Sequence, residues 1–355
     1  GGGGGGGGGA GGGGGGGGRG GGGPRAGGGP PHGRVLARLG WQATERHPLA
    51  TLIEAPPAPM PAPDLASRDA LALLVRQGID RLAALEPGIR ADLDAEFLHD
   101  HRVALRRLRS LAGQLRAAWS ERAGERLRGT LAGWQRASNR CRDLDVWLLD
   151  PPAAPHGFAT GMAALVAALA AERDREQRAL AGYLADPARG VERSRLLRLA
   201  ERPPAGPAAR RPVAALAAER TWAAWRKARR LAAALTPAAP DEAVHAVRLA
   251  VKKVRYLLEF AGPLVAEDGS WTGLRGDLRA LQERLGAFND AAVQAGFLAE
   301  TSRRLPLDRD ALLAAGAMIA DRRRALDAAR PGVHEALADL LGDAAHRRWR
   351  AAFRA

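Results

Sequence analysis

The residues best placed to do chemistry lie in one short stretch, L-H-D-H-R-V-A-L-R-R-L-R-S-L, residues 98–111. His99 followed by Asp100 could help hold a divalent metal for phosphate hydrolysis. The arginines that follow, Arg102, Arg106, Arg107 and Arg109, could instead grip a polyanion through forked, permanently charged donors. The two chemistries need different partners, and a second copy of the stretch separates them.

V-H-A-V-R-L-A-V-K-K-V-R-Y-L, residues 244–257, aligns with the first stretch without gaps at an offset of 146 residues. Five of the fourteen positions are identical and six more are conservative. Further on, Q-R-A-S-N-R-C-R-D-L-D-V (135–146) matches Q-E-R-L-G-A-F-N-D-A-A-V (282–293) at an offset of 147. The match pairs Gln135 with Gln282, Asp143 with Asp290 and Val146 with Val293. Two signals in the same order at nearly one offset indicate a tandem duplication.

At about 100° per residue on a helix, His99, Arg102, Arg106 and Arg109 share an arc of about 80°. In the second copy His245, Arg248, Lys252 and Arg255 share the same arc, while Leu98, Leu105, Leu108, Leu111 and Leu115 form an apolar stripe elsewhere. Like charges one turn apart repel, so the stack needs carboxylates, water or a bound polyanion. A solvated basic face is the bland alternative. Repetition of the arc, with lysine replacing arginine at Lys252, favours a bound anion. Helices starting near Asp94 and Asp241 would also place their N-termini, which attract anions, beside His99 and His245.

The metal reading fares worse. Asp100 is matched by Ala246 and His101 by Val247, and no cluster of His, Cys or Asp elsewhere supplies further ligands. His101 falls within the apolar stripe and reads as a packed side chain with one ring nitrogen satisfied. Arg107 and Lys253 flank the arc, where they either widen it or are solvated. Arg142, Asp143 and Asp290 read as supports, with the aspartates holding arginines of the basic helices. Trp222 and Trp225 read as core. Catalysis, metal and cofactor are not expected.

Around these helices the elements are also helical. From Asp64 onward Leu and Ala recur at three- and four-residue spacing, with no defensible strand pattern. Helices are expected over about 66–85, 95–119, 122–149, 157–185, 188–201, 213–235, 241–261, 271–285, 290–304, 308–329 and 332–353. The proline-rich run 201–212 reads as a linker. Residues 1–63 are set apart by composition. They hold 25 of the 46 glycines within 1–33 and a proline-rich spacer at 54–63, so disorder is expected there. The expected division is 1–63, then helical halves at 64–205 and 206–355, in an all-α fold.

Formal net charge is +15, of which residues 64–355 carry +12. Such a balance points to an anionic partner: nucleic acid, polyphosphate or an anionic lipid surface. A single cysteine, Cys141, excludes an internal disulfide and a cysteine-based zinc cluster. The weakly polar run Gly157–Ala171 is too short to span a membrane and reads as a core helix. No secretory signal is apparent, and a cytoplasmic protein is expected.

The two basic stretches, followed by C-R-D-L-D-V and L-Q-E-R-L-G-A-F-N-D-A-A-V, resemble the CHAD domain, the conserved histidine α-helical domain, over about 64–350. The resemblance implies two four-helix bundles related by a pseudo-two-fold axis around a basic channel. It also implies non-catalytic binding of inorganic polyphosphate, at polyphosphate granules. Carried over by position, the channel residues are His99, Arg102, Arg106, Arg107 and Arg109, with His245, Arg248, Lys252, Lys253 and Arg255. Many relatives carry a CYTH domain with an E-x-E-x-K signature, absent here, and residues 34–60 look like the junction that follows one. Two rivals remain. A nucleic-acid binder shares the basic face but would want aromatics interleaved with it, and aromatics make up only 5% of the chain. A metal-dependent phosphohydrolase or triphosphatase would want the ligands missing above.

Overall fold

The structure is a computed structural model that describes residues 59–353 apart from 237, 238, 267, 268 and 270. The expectations for residues 1–58, including the CYTH junction, lie outside the described residues. The described chain forms α1 (Ser67–Arg90), α2 (Ala95–Gln114), a 3-10 turn (Arg116–Ala118), α3 (Glu121–Ala137) and α4 (Asn139–Leu149). It continues with α5 (Ala159–Ala185), α6 (Pro187–Glu201), α7 (Val213–Ala233), α8 (Asp241–Val265), α9 (Trp271–Arg304), α10 (Arg309–Leu341) and α11 (Asp343–Phe353). Among the described residues the only extended pairing is two isolated bridges, Ala66 with Pro212 and Trp119 with Ala205. The fold is all-α. No described helix is long and apolar enough to cross a membrane.

Both motif helices form where their apolar stripes require. α2 buries Leu98, Leu105, Leu108 and Ala112. α8 buries Val244, Val247, Val251, Val254, Leu257 and Leu258. All of these but Leu98 and Leu257 join one apolar cluster that also takes Leu71 and Val75 of α1, Leu127 of α3, Leu216 and Trp225 of α7, and Leu281 of α9, while Leu98 packs in a smaller cluster with Leu85, Ile89 and Phe97. A second cluster packs Leu144 and Trp147 of α4 and Leu165 and Leu169 of α5 against Leu298 of α9 and Met318 of α10. Packing therefore crosses the 205/206 boundary. Residues 159–171 of the run Gly157–Ala171 belong to α5, with Met162, Leu165 and Leu169 buried in this second cluster.

Helix ends depart from expectation where packing or a side chain overrides the local signal. The expected helix 122–149 breaks at Ser138, a buried residue whose hydroxyl donates to Gln135 O at 3.1 Å and so competes with the helical ladder. The expected pair 271–285 and 290–304 is one helix, because Leu285, Phe288 and Asn289 are all buried and keep the segment on the core. Pro331 likewise fails to end α10, whose buried Val333, Ala336 and Leu337 hold it to Leu341. Arginine–carboxylate pairs tie the helices together. Arg140 grips Glu172 at 2.9 and 3.0 Å and reaches Thr301 at 3.2 Å, linking α4, α5 and α9.

The run 201–212 is a strap rather than a free linker. Ser120 N donates to Pro204 O at 2.9 Å, Ala208 N to Ala117 O at 2.8 Å, and Val213 N to Leu65 O at 2.8 Å. Gly206 makes the strap possible, since a Cβ there would stand 2.3 Å from Trp119 O and 2.5 Å from Ala117 O.

Candidate polyanion groove

The stripes that bury α2 and α8 turn their basic arcs toward each other. Arg106 Nε on α2 donates to the Tyr256 hydroxyl on α8 at 2.7 Å. Two guanidinium groups approach the Tyr256 ring, with Arg106 Cζ 5.9 Å and Arg255 Cζ 5.0 Å from its centroid. Lys252 is half-buried at this meeting point. Burial, followed by the positive charges of Arg106, Arg248, Arg255 and Arg102, pushes its ammonium down to about 8. Cations from both helices thus converge on one lysine.

The remaining arc residues are held from neighbouring elements. Arg102 Nη1 donates to Ser138 Oγ at 3.0 Å and to Asn139 Oδ1 at 2.8 Å, so the α3–α4 break supplies its seat. Arg109 hydrogen-bonds the Gln135 side chain. Arg102 and Arg248 are both pushed down by burial, opposed by the negative charges of Asp143 and Asp290 respectively. Arg255 forms an ion pair with Glu259 at 3.2 Å.

The histidines are not equivalent. His99 accepts a hydrogen bond at Nδ1 from Arg142 Nη2 at 2.8 Å. A guanidinium can only donate, so Nε2 carries the ring proton. Burial and Arg142 lower the His99 pKa, in keeping with a ring that accepts at Nδ1. His245 is exposed. His101 is 2% exposed, and neither ring nitrogen has a hydrogen-bond partner, in place of the one expected. The helix ends also hold a surprise. Asp94 caps α2 by accepting from Glu96 N at 2.8 Å, and Asp241 and Glu242 occupy the first turn of α8. Carboxylates already answer both N-termini, so the cations lie further along the helices.

Between α2, α3 and α8 lies an open groove of about 500 Å³ lined by Arg106, Arg109, Ser110, Arg128, Gln135, Leu249, Lys252, Lys253 and Tyr256. No carboxylate lines it. A second groove of about 620 Å³ holds Arg255, Arg275, Arg279 and Gln282 together with Glu259 and Glu283. Arg128 matches Arg275 and Gln135 matches Gln282 at the offset of 147, but Glu283 stands where the first copy has Arg136, and Glu259, at the basic stretch's offset of 146, where it has Gly113. Arg279 pairs with Glu283 at 2.9 Å, so the second groove is largely neutralised. Arg107 is exposed and lines neither groove.

Sequence reasoning passed over Tyr256, Arg128 and the side-chain role of Gln135. The repeat could have found them, because Tyr256 matches Ser110 and both line the first groove. It also passed over Glu96. Potential ligand atoms of Glu96, His99 and Asp100 lie within 4.8 Å of one another. Two of these three donors already hold cations: His99 binds Arg142, and Asp100 Oδ2 accepts from Arg81 at 3.1 Å. A divalent ion bound at His99 Nδ1 and Asp100 Oδ2 would have to displace both guanidinium groups.

The fold and groove define an all-helical protein with a carboxylate-free cationic cleft. The CHAD domain family profile matches residues 73–299, more than half of the chain, and the chain belongs to that family. The crystal structure of the CHAD domain from the plant Ricinus communis is similar over 78% of this chain and 95% of that one, with 24% identity and a TM-score of 0.63. PptA from Streptomyces chartreusis is similar over 76% of this chain and 99% of that one, with 20% identity and a TM-score of 0.55. No curated protein matches the chain.

Proposed function

We propose that the protein binds inorganic polyphosphate, without catalysis, in the groove between α2 and α8. The observation that carries this reading is the groove itself, in which Arg106 and Arg109 of α2, Arg128 of α3 and Lys252 and Lys253 of α8 line one cleft with no carboxylate among the lining residues. Such an assembly is electrostatically costly when empty, and a linear polyanion relieves it by replacing repulsion with charge-assisted hydrogen bonds. Arg102 and Arg109, seated on α3 and α4, present preorganised donors, which lowers the entropy lost on binding. Membership of the CHAD family supports the same ligand and localisation at polyphosphate granules.

The test is a polyphosphate pull-down with a variant reversing charge at Arg102, Arg106, Arg248 and Lys252, its fold checked by circular dichroism. Loss of binding by the folded variant is expected, and unchanged binding removes the site. Because all four side chains are partly buried, the milder pair Arg106→Gln and Lys252→Met provides a second arm, expected to weaken binding at least tenfold.

One observation bears on the nucleic-acid rival. Tyr256 does place an aromatic within the cationic arc, but Arg255 and Arg106 both lie against its ring, leaving little platform for a base. RNA of equal charge should displace long-chain polyphosphate poorly, and ready displacement would favour the rival. Phosphate release with Mg²⁺ or Mn²⁺ that disappears in a His99→Ala, His245→Ala double variant would establish an enzyme instead.

A further inference from the structure

Lys253 follows Lys252 in sequence but answers to a different set of charges. It lines the α2–α8 groove, yet the charges that act on it are all cations outside the arc: Lys227 and Arg220 of α7 and Arg116 of the 3-10 turn. Among the described residues none of these four is joined to a carboxylate by an ion pair. Lys227 in turn lines a larger groove of about 1130 Å³ between α7, α10 and α11, where Arg226 and Arg230 are also exposed. Within that groove Arg229 is answered by Asp343, whereas among the described residues no ion pair answers Arg226, Lys227 or Arg230. Lys253 lines the first groove and Lys227 the larger one, and among the described residues neither is paired with a carboxylate.

Resting on the polyphosphate reading above, we propose that the binding track continues past Lys253 onto α7, so that Arg226, Lys227 and Arg230 hold a second segment of a long polyanion. Ligands short enough for the first groove do not reach it. The α7 segment therefore makes affinity depend on chain length, as linked sites do when the second binds at high local concentration.

The experiment compares full-length protein with the triple variant Arg226→Ala, Lys227→Ala, Arg230→Ala, using tripolyphosphate and long-chain polyphosphate as probes. A charge-matched control replaces Arg175, Arg178 and Arg195 with Ala; these are exposed on α5 and α6 and line none of the three grooves. The α7 variant should lose tenfold or more in long-chain affinity, with a salt slope shallower by about 2. Its tripolyphosphate affinity should match that of the unaltered protein. Unchanged long-chain binding overturns the extension while leaving the first groove standing. Equal loss in the control, or equal loss for tripolyphosphate, overturns it too. Absence of binding by the unaltered protein removes the polyphosphate reading and the extension with it.

Discussion

Lys252 reports the state of the groove most directly, because its ammonium is pushed down to about 8 by burial and four arginines. The polyanion binds the charged form. Affinity for long-chain polyphosphate should therefore be level below about pH 8 and fall roughly tenfold as the proton leaves above it. Lys252→Arg should flatten that profile, and an equally steep profile in the variant would assign the titration elsewhere. The effect on folding has the opposite sign. The unfolded lysine holds its proton to about 10.5, so stability rises with pH between about 8 and 10.5. His101 gives a second residue-scale prediction. Burial, with help from Arg189 and Arg102, pushes it down to about 3. The unfolded state takes up a proton below about 6.5 that the folded state refuses until about 3, so stability falls as pH drops through that window. His101→Leu should stabilise the protein by about 1–2 kcal/mol at neutral pH, since neither ring nitrogen is satisfied. It should also flatten acid unfolding followed by circular dichroism; a variant as acid-sensitive as the parent would acquit His101. The heptad-like pattern placed His101 inside correctly. It could not supply the missing hydrogen-bond partners, which depend on what other elements bring near.

At the scale of elements, helix existence was legible and helix ends were not. Apolar periodicity located α2, α5, α7 and α8 to within a few residues. Ser138 broke a helix that periodicity joined, and buried Phe288 and Asn289 joined helices that periodicity separated. In each case local propensity was overruled by packing or by a side-chain bond. The break at Ser138 matters beyond the fold, because it seats Arg102. Close approach of α5 to α10 gives the element-scale prediction. A Cβ on Gly161 would meet Asp310 O at 2.1 Å, whereas one on Gly182 of the same helix meets nothing within 4 Å. Gly161→Ala should cost about 1–3 kcal/mol as the helices separate. Gly182→Ala should be neutral or stabilising by up to about 1 kcal/mol. Urea midpoints distinguish them, and equal midpoints would mean that α5 and α10 accommodate the methyl by sliding.

For the whole molecule, charge sets the conditions under which it works. If six to ten phosphates are held, affinity should fall about a thousandfold or more between 50 and 200 mM salt, by analogy with counterion release from nucleic acids. A flat salt profile in a filter-binding titration would exclude a phosphate-dominated interface. What the chain order alone determined was considerable: an all-α class, two basic arcs at a constant offset, and apolar stripes that leave those arcs unburied. These follow from composition and periodicity, which are local properties of a helix. Tertiary structure decided the rest, because it concerns distances between segments far apart in sequence. It turned the 201–212 run into a hydrogen-bonded strap. It also brought Arg106 to Tyr256 and surrounded Lys252 with cations from both helices, while Glu259 and Glu283 quenched the matching groove. Two nearly equivalent stretches of sequence thus acquired unequal electrostatic surroundings, since the field at a side chain is set by every charge nearby, whichever segment carries it.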